Sequence, residues 1–222
     1  MQIWFALVVL LLSYSIGSIP IGLFTVKLAT GKDVRHIESG RTGGTNAMRA
    51  AGLWVGLLTT LLDIAKGVIA VWIARTLAPG NIWIEILAPT INIIGHNYSI
   101  YLVKRDENGR IRWQGGAGGA PAVGGAIGYW PPIILILVPL GALVIFGIGY
   151  ASVASFSLPI IAAIIFAIRA WQGLSPWQYI IYCLLAEILV LWSLRPNLKR
   201  LINGTERVVG WRARRVNAGQ NK

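Results

Sequence analysis

Residues 3–24 read IWFALVVLLLSYSIGSIPIGLF, a run without one charged side chain. A helix needs roughly 20 apolar residues to cross the hydrocarbon core of a bilayer. Outward from this run, further apolar segments occupy 53–74, 83–103, 115–130, 133–148, 158–170 and 178–194. Composition agrees: of 222 residues, 55% are hydrophobic and 13% charged, with mean hydropathy +0.65. Soluble domains carry about 25% charged residues, and one this apolar would need a larger core than its length provides. The reading is an all-α, polytopic integral membrane protein of about seven transmembrane helices, one membrane domain over 1–222. The fourth segment is short and rich in Gly and Ala, so taken alone it also reads as re-entrant. Trp83, Tyr101, Tyr129, Trp130, Trp177, Tyr179 and Trp192 fall at segment ends, as an interfacial aromatic belt does.

Net charge is +12, from 20 Lys+Arg against 8 Asp+Glu. In a soluble chain this would point to nucleic acid; here it reads as positive-inside loops, with membrane lipids and phosphorylated substrates as partners and no nucleic acid. Segment 25–52 holds Lys27, Lys32, Arg35, Arg41 and Arg49, and segment 103–114 holds Lys104, Arg105, Arg110 and Arg112. A basic tail from about 195 holds Arg195, Lys199, Arg200, Arg207, Arg212, Arg214, Arg215 and Lys222. Seven spans put all three on one face, predicting a cytoplasmic C-terminus and an N-terminus outside. Six would separate the tail from one of the basic loops. No Lys or Arg precedes the first run, which therefore reads as a span rather than a cleaved leader. Cys183 is the one cysteine, so no intrachain disulfide forms.

Four clusters carry possible chemistry. Between the first two helices stand Ser39-Gly40-Arg41-Thr42-Gly43-Gly44-Thr45-Asn46 and Arg49. Glycines let backbone N–H groups approach an anion, and arginine forks fit phosphate oxygens. The same residues also suit a flexible polar connector. Asp63 and Lys66 share one face of the second helix, either as a structural ion pair or as part of a polar cavity. His96 after Gly95 is a helix-end residue or a base. Gln114-Gly115-Gly116-Ala117-Gly118-Gly119-Ala120-Pro121 holds no basic residue, which favours close helix packing over phosphate binding. Asn197 to Glu206 suits an amphipathic basic tail on anionic lipid. There is no Gly-x-Ser-x-Gly elbow, no His pair at metal-ligand spacing and no Walker loop. No cofactor or metal is expected.

In these loops the sequence resembles the bacterial acyl-phosphate:glycerol-3-phosphate acyltransferases of the PlsY type. Gly17-Ser18-Ile19-Pro20 resembles the family's Gly-Ser-Ile-Pro, and Ser39 to Asn46 its Ser-Gly-Asn-x-Gly-Ala-Thr-Asn loop, with Arg49 at the matching arginine. Asp63-Ile64-Ala65-Lys66-Gly67, Gly95-His96 and Asn197 to Glu206 resemble three further motifs in the same order. Departures are Arg41 for asparagine, Ala117 for a lysine among glycines, Pro121 for threonine, Leu194 for histidine, and a longer polar excursion over 104–112. The resemblance implies transfer of an acyl group from acyl phosphate to the 1-hydroxyl of glycerol 3-phosphate, giving lysophosphatidic acid at a bacterial inner membrane. It implies catalytic roles for Ser39, Arg49 and Asn197. Substrate contacts would come from Arg41, Gly43, Thr45, Asn46, Gly115, Gly116 and Gly118, with Asp63, Lys66 and His96 in support. The alternatives are a diverged paralogue that binds a phosphorylated lipid, and a small anion transporter. Oligomeric state is left open.

Overall fold

The computed structural model describes residues 3–210; Arg212, Arg214, Arg215 and Lys222 lie outside them. In chain order the helices are α1 (Ile3–Ser18), α2 (Ile21–Thr30), α3 (Gly44–Ala51), α4 (Leu53–Leu77) and α5 (Ile82–Asn97). Strands β1 (Ser99–Arg105) and β2 (Ile111–Gln114) follow, then α6 (Gly119–Tyr129), α7 (Ile134–Leu143), α8 (Ala151–Trp171) and α9 (Gln178–Ile202). Among the described residues, five stretches are long and apolar enough to cross a membrane: Ile3–Thr30, Leu53–Leu77, Pro131–Ile148, Ala151–Trp171 and Gln178–Ile202. Large side chains such as Trp4, Leu11, Trp54, Leu135, Ile164 and Ile188 point outward from them, as in a protein whose solvent is lipid. The chain is a multi-pass membrane protein.

Several boundaries differ from the sequence reading, each for a local reason. The first run breaks at Ile19-Pro20, because proline brings no N–H to the helix ladder; helix then resumes to Thr30. The third segment ends at Asn97, and Ser99 onward forms the antiparallel β1–β2 hairpin with Lys104 opposite Arg112. The fold is therefore helical with one hairpin rather than all-α, and the 104–112 excursion is that hairpin's tip. Helix α6 has 11 residues, about 17 Å of rise, shorter than a usual span, and it runs from the end of the bundle where Thr42 meets Gly115 to the end where Arg75 bonds the Tyr129 carbonyl. Helix α8 begins at Ala151, seven residues before the segment read from hydropathy, and α9 runs on to Ile202, so 195–202 is helix rather than tail. Tyr129 and Tyr179 are not belt residues: their rings stack 4.1 Å apart inside the core, beside Phe166 and Tyr182.

Close backbone approach fixes the interior. An added Cβ on Gly124 would lie 2.0 Å from the Ile64 carbonyl, and one on Gly67 2.3 Å from the Pro121 carbonyl. Helix α6 can reach its depth against α4 only because both positions are glycine. At one end of the bundle Arg75 bonds Glu85, Tyr179 and the last carbonyls of α6. The other end gathers all three basic segments: Thr42 N–H donates to Gly115, Arg41 reaches Ser193, and Arg207 pairs with Glu38.

Candidate active site

The break at Pro20 sets the deepest layer of this second end. It turns the Ile21 N–H to the Ile19 carbonyl, at 3.0 Å, rather than back to Gly17, and Lys66 Nζ bonds both the Gly17 and the Ile19 carbonyl, at 3.0 and 2.9 Å. The same ammonium stands 2.9 Å from Asp63 Oδ1 and 3.2 Å from His96 Nδ1. An ammonium only donates, so His96 Nδ1 accepts and the ring proton lies on Nε2. His96 in turn packs on Gly116, where an added Cβ would lie 1.9 Å from Nε2.

Above this layer the segment from 33 to 43 wraps onto α3. Asp33 accepts from the Arg35 backbone N–H and from its guanidinium, which together hold the Asp33 carboxyl well below the usual carboxylate range. Asn46 Nδ2 donates to the carbonyls of Val34, Ile37 and Arg41 at 2.9–3.1 Å. With its amide nitrogen spent on the loop, Asn46 holds the turn in shape. Helix α3 starts at Gly43 with no side-chain cap, leaving its first N–H groups for an incoming acceptor. Helix α6 starts at Gly118, at φ 88°, also without a side-chain cap. Such a φ suits glycine.

Helix α9 and the segment after it close the far wall. Pro196 brings no N–H for the Trp192 carbonyl, and Arg195 Nε takes that bond at 3.0 Å. Arg41 bonds the next carbonyl, Ser193, and its hydroxyl. Burial, then the neighbouring Arg200 charge, lowers the proton affinity of Arg41. Glu206 accepts from Asn197 Nδ2 at 2.8 Å and from Ser152 Oγ at 3.3 Å, and meets Arg200 Nε at 3.1 Å.

These parts enclose a cavity of about 300 Å³. Of the residues singled out from sequence, Ser39, Arg41, Gly43, Thr45, Asn46, Arg49, Asp63, His96, Gly118 and Asn197 line it. Lys66, Gly115 and Gly116 are not among its lining residues: Lys66 is buried at the helix break, and the Gly115 and Gly116 carbonyls accept from Thr42 N–H and the Ser193 hydroxyl. The guanidinium of half-buried Arg49 makes no hydrogen bond to another described residue, and burial lowers its proton affinity. Sequence reasoning missed Ser152 and Ser155 at the start of α8, and it left Glu206 inside a motif without a role. Serines three apart in an apolar helix give no signal by themselves. It also missed the apolar half of the cavity, where Leu57, Ile64, Val123, Leu137, Val138 and Leu158 stand. Leu57 and Val138 are exposed on the outer face of the bundle, so this half adjoins lipid. The cavity thus suits an amphiphile with an anionic head.

The sequence profile of the glycerol-3-phosphate acyltransferase family matches residues 7–204. A glycerol-3-phosphate acyltransferase of Rubrobacter xylanophilus is 34% identical over 203 residues, covering 91% of this chain and 94% of that protein. One from Thermus thermophilus is 35% identical over 204 residues, covering 92% and 95%. Among solved structures, the glycerol 3-phosphate form of PlsY (YgiH), an integral membrane glycerol 3-phosphate acyltransferase, superposes with TM-score 0.77 at 28% identity, covering 92% of this chain and 96% of that one. Its lysophosphatidic acid form gives TM-score 0.75 at 27% identity, covering 92% and 95%.

Proposed function

We propose that this chain, which belongs to the glycerol-3-phosphate acyltransferase family, moves a fatty acyl group from acyl phosphate to the 1-hydroxyl of glycerol 3-phosphate. The products are lysophosphatidic acid and inorganic phosphate. The chain is an acyltransferase of phospholipid biosynthesis. One observation carries it: two uncapped helix N-termini, α3 and α6, and Arg49 meet at the polar end of a cavity whose other end is apolar and adjoins lipid. Helix N-termini and an arginine favour phosphate, and the apolar end suits an acyl chain.

In this reading Ser39, the first N–H groups of α3 and Arg49 hold the phosphate of glycerol 3-phosphate. The N-terminus of α6 lies toward the acyl phosphate. The substrate hydroxyl attacks the acyl carbonyl, the bond to the phosphate oxygen breaks, and the departing phosphate takes the hydroxyl proton. The protein contributes orientation and charge neutralisation. Arg41, bonded to α9, adds positive potential where the family has asparagine. Seven membrane crossings of a bacterial plasma membrane, with the N-terminus outside, would place this end in the cytoplasm beside its soluble substrate. The three basic segments gathered there support that orientation.

The test is acyl transfer by purified protein in lipid nanodiscs, with labelled glycerol 3-phosphate and either acyl phosphate or acyl-CoA. Labelled lysophosphatidic acid from acyl phosphate alone is expected. Folded protein that forms none would overturn the reading. Growth of cells lacking their own enzyme of this type, on expression of this chain, checks the same reaction in vivo.

A further inference from the structure

The wall formed by Asn197, Ser152 and Glu206 has a fixed hydrogen-bond polarity. A carboxylate only accepts. Asn197 must therefore turn its NH2 toward Glu206, across the 2.8 Å bond, and Ser152 commits its one proton to the same Oε1 at 3.3 Å. Ser152 is left with acceptor capacity alone, and Asn197 with its carbonyl oxygen and the second N–H of its amide. Asn197 Oδ1 has no hydrogen-bond partner among the described residues, and both side chains line the cavity. Glu206 itself is buried, and its second oxygen is bonded by Arg200 Nε at 3.1 Å. The carboxylate is held where it is: Val209 N–H donates to Gly149 at 2.8 Å, and Arg207 pairs with Glu38 at 3.1 Å.

We infer that Glu206 is a positioning residue that turns Asn197 and Ser152 into hydrogen-bond acceptors for the hydroxyl end of bound glycerol 3-phosphate. The inference rests on the proposed reaction for its ligand and adds a rule for ligand orientation. A phosphate dianion has only lone pairs and is turned away from acceptors. It lies at the α3 N-terminus and Arg49, which only donate. Hydroxyls, which bring protons, face the Glu206 wall. The 2-hydroxyl is held there through its proton, and the attacking 1-hydroxyl keeps its own proton for the departing phosphate.

Reversing the polarity of the pair tests this. Asn197→Asp sets two carboxylates face to face, and glycerol 3-phosphate binding, measured by calorimetry in detergent, should weaken about tenfold. Adding Glu206→Gln restores one donor and one acceptor with the roles exchanged: the introduced amide donates to the introduced carboxylate, whose other oxygen still faces the hydroxyl. The double variant should recover most of the lost affinity. If Asn197 instead donates to phosphate, the aspartate has lost that donor and repels the anion. The double variant would then bind as poorly as Asn197→Asp alone, and the inference falls. Should Asn197→Asp fail to fold, Glu206→Ala carries the test with two ligands. The parent should prefer glycerol 3-phosphate over propyl phosphate, which lacks the hydroxyls, by about tenfold, and the alanine variant should lose most of that preference. An unchanged preference overturns the inference. Binding is read throughout, so a parent that binds but forms no lysophosphatidic acid refutes the proposed reaction and leaves the polarity of this wall to be decided by these variants.

Discussion

Arg49 offers the sharpest test of where the phosphate sits. It is half-buried beside the uncapped α3 N-terminus and lines the cavity, and its guanidinium makes no hydrogen bond to another described residue. A guanidinium so placed is partly desolvated and has its fork available. Replacing it with alanine removes a charge-assisted contact worth about 1.5–3 kcal/mol. At about 1.36 kcal/mol per decade, kcat/KM for glycerol 3-phosphate should fall roughly tenfold to 150-fold. Lysine keeps the charge but not the fork; losing one of two bonds costs about 1 kcal/mol, roughly a fivefold loss. Initial rates against glycerol 3-phosphate at saturating acyl phosphate give both numbers. Glu38 and Arg207 contribute opposing fields at Arg49, so neither should mimic its loss. Unchanged kcat/KM in the alanine variant would show that Arg49 serves only to hold its loop on one side of the membrane.

Three further outcomes follow from the packing and the charge. Lys66→Met leaves Asp63 buried without its cation and the Gly17 carbonyl without the Lys66 donor, so stability should fall by about 3–5 kcal/mol, read as thermal unfolding in detergent. Adding Asp63→Asn should return part of it, and additive losses would show that the two are not a pair. Gly124→Ala forces a methyl against the Ile64 carbonyl, 2.0 Å from the built Cβ; about 1–3 kcal/mol of overpacking should lower the unfolding temperature, and a wild-type melting curve would mean that α6 does not lie that close to α4. With Cys183 replaced, Arg110→Cys should resist an impermeant maleimide in intact cells while Gln172→Cys reacts, and the opposite pattern would invert the proposed topology.

Hydropathy and charge made much of the fold legible, because a bilayer sorts residues by cost of transfer. The runs that became α1, α4, α7, α8 and α9 stand out for that reason, and Arg41 and Arg207 of two basic segments sit at one end of the bundle. The same measure fails where an apolar run is not a lipid-facing helix. Ile100-Tyr101-Leu102-Val103 is as apolar as the end of α5, yet it is strand β1, and only its β-branched and aromatic content hints at that. Helix α6 is too short to stand out by hydropathy; its Gly124 packs against α4, and the glycines before it, Gly115 and Gly116, pack on Asn97 and His96, as the composition of 114–121 favoured.

The candidate site was legible in its membership more than in its division of labour. Sequence gives the donors and acceptors a residue owns, whereas its role depends on which of them the fold has already used. Asn46 and Asn197 carry the same amide. In Asn46 the NH2 is spent on three loop carbonyls, which makes it a brace for the turn beside the phosphate site. In Asn197 one carboxylate takes the NH2 and leaves the carbonyl oxygen at the cavity. Lys66 and Arg49 carry the same charge. Lys66 is consumed by a helix break, a carboxylate and a histidine, while Arg49 keeps its fork for a ligand. Ala117 shows the converse: it brings no charge to the glycine turn, yet the N-terminus of α6 directly after it supplies backbone donors that no side-chain substitution removes. In the proposed reaction that backbone contribution lets a chain with alanine at this position present a second pole for an anion, and it ties that pole to the geometry of Gly118 rather than to a side-chain cation.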